Sequence, residues 1–349
     1  MTAAKSLFYR ENYPIFQNKM YSSREAGIHC PKGNIDLIVD QKTGIIFNCQ
    51  FDESRVQYDK DYHNEQGLSH AFSQHLNDVA RRIIQAMGKE NLVEVGCGKG
   101  LFLDMLSAQG VDITGFDPTY SGDNPRIRPE YFTQDTPISC DGIILRHVLE
   151  HIKDPADFLH FLKKAAPEHC KIYIEVPAFE WIAANNAWYD IFYEHVNYFR
   201  LDDFKRLFST VIEGGYVFNQ QYIYVIANLA DLCERIEVDQ QSIDASFPID
   251  QLIAEKVDRS KKITLWGGAS KGVIFAMNLA RLGIEVDHVI DINPKKQNRF
   301  LAATGIKVES PDDVLPQLAD GENIYVMNSG YLAEIKQMTG QRFNYITLD

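Results

Sequence analysis

The stretch Asn91-Leu92-Val93-Glu94-Val95-Gly96-Cys97-Gly98-Lys99-Gly100 decides the fold of this chain. It reads as a short apolar strand that carries an acidic residue and three alternating glycines into a helix over 101–108. Glycine lets a backbone turn sharply and approach a ligand where a Cβ would collide. A helix start adds unpaired N–H groups and the positive end of the helix dipole. Asp117 stands 21 residues after Gly96, at the end of a second apolar segment over 111–116, where a carboxylate can grip ribose hydroxyls. These features imply a nucleoside site in an open α/β sheet. A dinucleotide fingerprint needs its third glycine at position 101, and this chain has Leu101 there. Glu94 also faces the loop that would cradle pyrophosphate. A carboxylate is unfavourable beside pyrophosphate and favourable beside a cation.

The pattern Glu-x-Gly-x-Gly-x-Gly is followed by Gly115-Phe116-Asp117 and by the run from Asp141 to Ile152, which holds Arg146-His147-Val148-Leu149-Glu150-His151; Asp154-Pro155 then opens the next helix. In this order the motifs resemble those of the class I S-adenosylmethionine-dependent methyltransferases. The resemblance implies a Rossmann-like α/β domain and S-adenosyl-L-methionine as cofactor, held by Glu94, Gly96, Cys97, Gly98, Gly100, Asp117, Pro118, Arg146 and His147. Tyr62, with His63, Asn64 and Gln66, lies just before the helix that leads into this domain. In related enzymes such a segment covers the cofactor, so Tyr62 either closes that site or belongs to a surface turn. The competing reading of the glycines is tight packing alone.

A chain of 349 residues implies two or three domains. No apolar run reaches the ~18 residues of a membrane span, so no membrane partner is expected. The N-terminus lacks the apolar core of a signal peptide. A net charge of −13 argues against nucleic-acid partners, since phosphates would be repelled. The six cysteines, at 30, 49, 97, 140, 170 and 233, are scattered without C-x-x-C pairs. Reduced, buried thiols in a cytoplasmic enzyme, monomeric or homodimeric, are the expectation.

Four segments follow from the pattern. Residues 1–68 hold a hairpin signal, with apolar runs over 34–40 and 44–49 joined by Gln41-Lys42-Thr43. Residues 69–229 form the methyltransferase-like unit and begin with a helix over 69–87, whose Val79, Ile83, Ile84 and Met87 share a face. A polar, helix-prone bridge spans 230–260. Residues 261–349 start afresh with the strand Ile263-Thr264-Leu265-Trp266, the turn Gly267-Gly268-Ala269-Ser270-Lys271-Gly272, a helix over 273–282 and a strand over 286–292. The expected fold is therefore α/β, with two Rossmann-like domains and a small N-terminal hairpin region.

This order of domains is similar to that of the sugar C-methyltransferase family, which acts on nucleotide-linked deoxysugars. The landmarks are Tyr193-Glu194-His195-Val196-Asn197-Tyr198-Phe199, the Gly267–Gly272 loop and Asp291-Ile292-Asn293-Pro294. The resemblance implies that Glu194 and His195 support base catalysis at the methylated carbon. The chemistry agrees, because C-methylation beside a ketone needs a proton removed before the carbon attacks the methyl group. Histidine, with an ordinary pKa near ~6.5, is suited to that task, and a carboxylate can orient it. For O-methylation the same histidine would deprotonate a hydroxyl. The alternative is a structural hydrogen-bonded corner among Phe192, Tyr193, Tyr198 and Phe199.

The chain departs from that family in places. Members carry N-terminal C-x-x-C pairs that hold zinc; here only Cys30 and Cys49 occur, and two thiols cannot close a four-ligand site, so no metal is expected. Phe192 stands where a tyrosine often precedes the histidine, and Gln66 marks a second replaced tyrosine. His147 and His151, four apart, could share a helix face, but the string is not H-E-x-x-H and no third ligand stands out. Trp181 and Trp188 either wall a substrate pocket or pack in the core.

The Gly267 loop fits G-x-A-x-x-G after a strand, with Asp291 placed 24 positions beyond Gly267. It either cradles a substrate phosphate, through Ser270 and Lys271 with Asp291 and Asn293 nearby, or is a structural relic. Two functions remain: methyl transfer to a small molecule such as a nucleotide sugar, with O- or N-methylation as variants, and NAD-dependent oxidoreduction by the C-terminal loop.

Overall fold

The computed structural model describes residues 5–56, 69–133, 140–238, 243 and 245–349. Three sheets organise the chain, and each is dictated by a different hydrophobic pattern. Near the N-terminus, β1 (Phe8–Pro14), β2 (Lys32–Val39) and β3 (Ile46–Asn48) pair antiparallel. Alternate residues of β2, Gly33, Ile35 and Leu37, are buried, as a half-covered strand requires. The expected hairpin is therefore present, but β1 extends it on one side. On the other side β3 pairs with β9 (Asn197–Tyr198), which comes from the segment just after His195. The N-terminal region is thus stitched to the central unit rather than appended to it.

The central sheet holds β4 (Leu92–Val95), β5 (Ile113–Phe116), β6 (Ile127–Arg128), β7 (Gly142–Arg146), β8 (Lys171–Pro177), β10 (Glu213–Val217) and β11 (Tyr222–Asn228). Its order is β10-β11-β8-β7-β4-β5-β6. The strands from β4 to β8 run parallel, whereas β11 is antiparallel to both β8 and β10. All four residues of β4 are buried, the mark of a strand covered on both faces. The chain leaves β4 toward β5 on one side and returns to β7 on the other. That makes the β4/β7 crevice the switch point where open α/β sheets bind ligands.

The helix His70–Met87 covers this sheet, capped by the Ser69 hydroxyl and ended at Gly88, whose φ is +84°. Its Phe72, Leu76, Val79 and Ile83 are buried at three- and four-residue spacing. The helix Leu101–Ala108 begins at Gly100, as the glycine run requires.

The third sheet, β14-β13-β12-β15-β16, is wholly parallel and contains β12 (Thr264–Trp266), β13 (His288–Ile290), β14 (Val308–Glu309), β15 (Asn323–Val326) and β16 (Asn344–Thr347). Its switch point lies between β12 and β15, at the Gly267 loop. The bridge is less helical than its polarity suggests: among its described residues one α-helix forms, Ile249–Lys256, directly after Pro248. Proline fixes φ and lacks the N–H, so it suits a helix start rather than its interior. No described helix is long and apolar enough to cross a membrane.

Candidate active site

The glycine run forms a turn at the carboxyl end of β4. Gly96, Gly98 and Gly100 have φ of +72°, +56° and +84°, a region that L side chains enter only with strain. Each is glycine for a further reason. A Cβ on Gly96 would lie 2.4 Å from Val148 Cγ2, and one on Gly100 would lie 2.4 Å from Ile127 Cδ1. A Cβ on Gly98 would meet nothing within 4 Å, so this residue alone faces open space. Asp117 sets the turn's shape: its Oδ2 accepts the Gly98 N–H at 2.8 Å, and its Oδ1 accepts the Thr119 N–H and hydroxyl. Pro118 follows in the exposed turn between them. Cys97 is buried against Gly115, where a Cβ would lie 2.7 Å from its Sγ. Burial, with Glu94 and Asp117 nearby, pushes its thiol up, which makes it a packing group and not a nucleophile.

Glu94 is buried, and its Oε2 has no hydrogen-bond partner among the described residues. Burial pushes its pKa up to about 7, against the opposing pull of Arg146. An anionic oxygen held without a donor at a ligand turn is suited to a cationic ligand group.

The crevice's other wall is the end of β7. Arg146 extends over the Phe102 ring, 4.5 Å from its centroid, and donates to Glu175 Oε1 at 3.0 Å. His147 has φ of +53°, a strained value for a histidine, and its ring nitrogens lie 3.2 Å from Glu175 and 3.4 Å from Glu150. Burial alone would lower its pKa, but the two carboxylates outweigh burial and raise it to about 9. His147 and His151 do not share a helix face. A single 3₁₀ turn, Leu149–His151, follows the reversal at His147, so helical spacing does not apply.

Glu175, on β8, is the hub that the sequence reading missed. It is fully buried and receives Arg146, His147, His75 Nε2 at 3.2 Å and the Tyr173 hydroxyl at 2.7 Å. Burial would raise its pKa; Arg146, His147 and His75 together hold it well below the ordinary carboxylate range. The available signal was one acidic residue inside the apolar run Lys171-Ile172-Tyr173-Ile174-Glu175-Val176.

His195 is buried, packed edge-on against His151 at 4.8 Å and against Phe192 at 5.0 Å between ring centroids. Burial first, then the neighbouring His151 and His147, holds its pKa well below the ordinary histidine value, so the ring is neutral. Its Nδ1 has no hydrogen-bond partner among the described residues. Glu194 points elsewhere. Its carboxylate accepts the Gln17 N–H at 3.0 Å, and it is the Glu194 carbonyl that accepts from His151 Nδ1 at 2.8 Å. The pair read from sequence is therefore split: Glu194 anchors the N-terminal segment and orients His151 through its backbone, and His151 is the ring that faces His195.

In the second loop Asp291 repeats the device of Asp117, accepting the Gly268 N–H at 3.0 Å and the Asn293 N–H at 2.8 Å. The expected phosphate donors are committed to protein acceptors. The Ser270 N–H and hydroxyl donate to Gln17 O and Asn18 Oδ1. Lys271 reaches away from the third sheet, lies 4.5 Å over the Trp181 ring, pairs with Asp190 at 3.2 Å and donates to Gln221 at 2.9 Å. Trp181 is thus a platform for a cation, while Trp188 stacks on Phe275 in the buried core. Cys30 is buried with its Sγ 3.2 Å from the Ala303 amide, and Cys49 is exposed. Tyr62, with His63, Asn64 and Gln66, lies outside the described residues.

The geometry of Gly96 and Gly98 separates folding from binding. Gly96→Ala is expected to cost about 2–4 kcal/mol in a denaturant titration, from overpacking on Val148 and left-handed strain. Gly98→Ala should cost about 1 kcal/mol, yet weaken ligand binding at the turn at least as much, because its methyl group enters only the open space.

Residues 69–211 match the family described as "Methyltransferase domain". No curated protein sequence matches the chain. Among solved structures, the chain is similar to a Burkholderia thailandensis 1,6-didemethyltoxoflavin-N1-methyltransferase, with 13% identity over 44% of this chain and 77% of that one, at a TM-score of 0.35. An Archaeoglobus fulgidus SAM-dependent methyltransferase shares 15% identity over 46% of this chain and 100% of its own, also at 0.35. One from Mesorhizobium loti shares 13% over 45% and 99%, at 0.34. The protein is an enzyme with a methyltransferase domain, built on a Rossmann-like sheet.

Proposed function

We propose that this domain transfers the methyl group of S-adenosyl-L-methionine to a small-molecule acceptor, and that the acceptor is a nucleotide-linked sugar methylated on carbon. The observation that carries the methyl-donor assignment is the open face of Gly98, set between the Asp117 clamp and the donorless Glu94 oxygen. S-Adenosylmethionine would be held by Asp117 and Pro118 at its ribose and by Glu94 at its ammonium group, with Arg146 and His147 bordering the same crevice. His195, neutral and with no partner for Nδ1 among the described residues, takes the acceptor's proton. When bound, S-adenosylmethionine would supply an electrophilic methyl group to the deprotonated acceptor, its sulfur keeping the bonding pair. Positioning the two reactants supplies much of the rate. Lys271 is the group of the second loop that meets the acceptor's anionic part, exchanging Asp190 for phosphate, with Ser270, Asp291 and Asn293 holding the loop in shape.

Glu94 makes the donor site testable. Its carboxyl titrates at about 7 in the free protein, and a cationic donor favours the ionised form. Donor binding therefore expels a proton below that pH. Affinity for S-adenosylmethionine is expected to be full above pH 7 and to fall below it, approaching about tenfold per pH unit. Glu94→Gln should flatten this profile and weaken binding at pH 8 by about 10–100-fold, the loss of one charge-assisted contact. Calorimetric titration with S-adenosylmethionine, S-adenosylhomocysteine and NAD checks both points. Tight NAD binding with no response to the other two would overturn the reading in favour of an oxidoreductase.

A further inference from the structure

We infer that Glu150, His151 and His195 form a binding site for one divalent transition-metal cation of the zinc class. One potential ligand atom from each residue lies within 4.8 Å of the other two. The residues come from two separate segments, the 3₁₀ turn after β7 and the stretch before β9, which the fold brings face to face. Two of the three are buried with unpartnered polar atoms: neither Glu150 oxygen nor His195 Nδ1 has a hydrogen-bond partner among the described residues. Buried acceptors left in this state are costly unless a cation or donor meets them. The tautomer of His151 fits as well. A carbonyl oxygen can only accept, so His151 Nδ1 carries the proton that goes to Glu194 O, and Nε2 is the ligating position.

Two imidazoles and one carboxylate are the donor set of a zinc site with an open fourth position. Metal–ligand bonds of ~2.0–2.2 Å place ligand atoms roughly 3.3–3.6 Å apart, so the side chains close by up to roughly 1.2–1.5 Å on binding. His147 Nδ1, 3.4 Å from Glu150, is the competing cation. It keeps Glu175 as a counter-charge at 3.2 Å when the metal takes Glu150.

The binding site stands on this geometry alone; its consequence rests on the role proposed for His195. The lone pair that would accept the acceptor's proton is the one a metal would take, so the two roles exclude each other. Metal loading is therefore inhibitory, and a chelator reverses it.

The test uses the full chain after chelator treatment, titrated with cobalt(II) and followed by its visible absorption, with zinc competition as the second arm. The expected result is one equivalent bound, with the intense spectrum of a low-coordinate site, displaced by zinc and weakened at least tenfold by Glu150→Gln, His151→Asn and His195→Asn. Retained binding of S-adenosylhomocysteine shows that each variant is folded. The weak spectrum of hydrated cobalt, or binding that persists in the triple variant and disappears on Cys49→Ser, would overturn the site. Binding as expected but with turnover stimulated by zinc would keep the site and remove His195 as the base. Failure of S-adenosylhomocysteine binding in the wild type would instead count against the methyltransferase reading.

Discussion

Replacing Glu175 by glutamine is expected to destabilise the protein by about 3–5 kcal/mol, because it leaves buried positive charge without its partner. Among the described residues Glu175 is the carboxylate shared by Arg146 and His147, and it also receives His75 and Tyr173. The effect should depend on pH with a definite sign. Glu175 titrates well below the ordinary carboxylate value, so its contribution is full above the unfolded value of 4.5 and is lost as pH falls through the folded one. His147 has the opposite habit: raised to about 9, it contributes fully below the ordinary 6.5 and loses that contribution as pH rises through 9. The gap between wild type and Glu175→Gln should therefore be widest between pH 4.5 and 6.5 and should narrow on both sides. Glu94, whose raised pKa opposes stability at alkaline pH, is present in both proteins and cancels. Urea unfolding across pH 4–10 measures this. A constant gap, or none, would remove the hub from the account.

What was legible in the sequence follows from where the physics is local. The strand–glycine–helix unit at Glu94 was readable because left-handed turns select glycine residue by residue, and Asp117 because its spacing is set by one βα crossover. The same logic found the Gly267 loop and Asp291. Features built from distant segments were not readable. β1 and β9 are strands because they pair with β2 and β3 across long separations. The β10–β11 hairpin turns through Phe218, Asn219 and Gln220, all with positive φ and none a glycine, so the usual turn signal is missing. Glu194 and His195 are adjacent in sequence, and adjacency suggested a working pair. Their side chains diverge, because Gln17, from a region placed by β1 and β2, arrives to take the Glu194 carboxylate. Gln17 O also accepts from Ser270, so one residue ties the segment beside His195 to the second loop. The residues proposed to meet the acceptor are legible only once all three sheets are assembled.

That divergence sharpens the test of catalysis. With His195 as the base, His195→Asn is expected to lower turnover by about 10²–10⁴-fold, the usual contribution of a positioned proton acceptor. Affinity for S-adenosylhomocysteine should stay unchanged, since the donor turn at Gly98 and Asp117 is built from other strands. Glu194→Gln is expected to behave differently. A glutamine oxygen can still accept the Gln17 N–H, so turnover should fall less than tenfold and chiefly through a raised KM for the acceptor, as the N-terminal segment loosens. His151→Asn tests whether the facing ring positions His195: it should lower kcat while leaving donor binding intact. The pH profile adds a readout that packing alone would not move. With donor saturating, kcat/KM for the acceptor reports the groups of the donor-bound enzyme. His195 is held well below 6.5, so no acid limb should appear at the ordinary histidine pKa. An acid limb that vanishes in His151→Asn and persists in His195→Asn would transfer the base role to His151. Near-normal turnover in His195→Asn and His151→Asn alike, with donor affinity retained, would leave proton removal to a group outside this pair. The Nδ1 of His195, without a partner among the described residues, would then be left with the metal site.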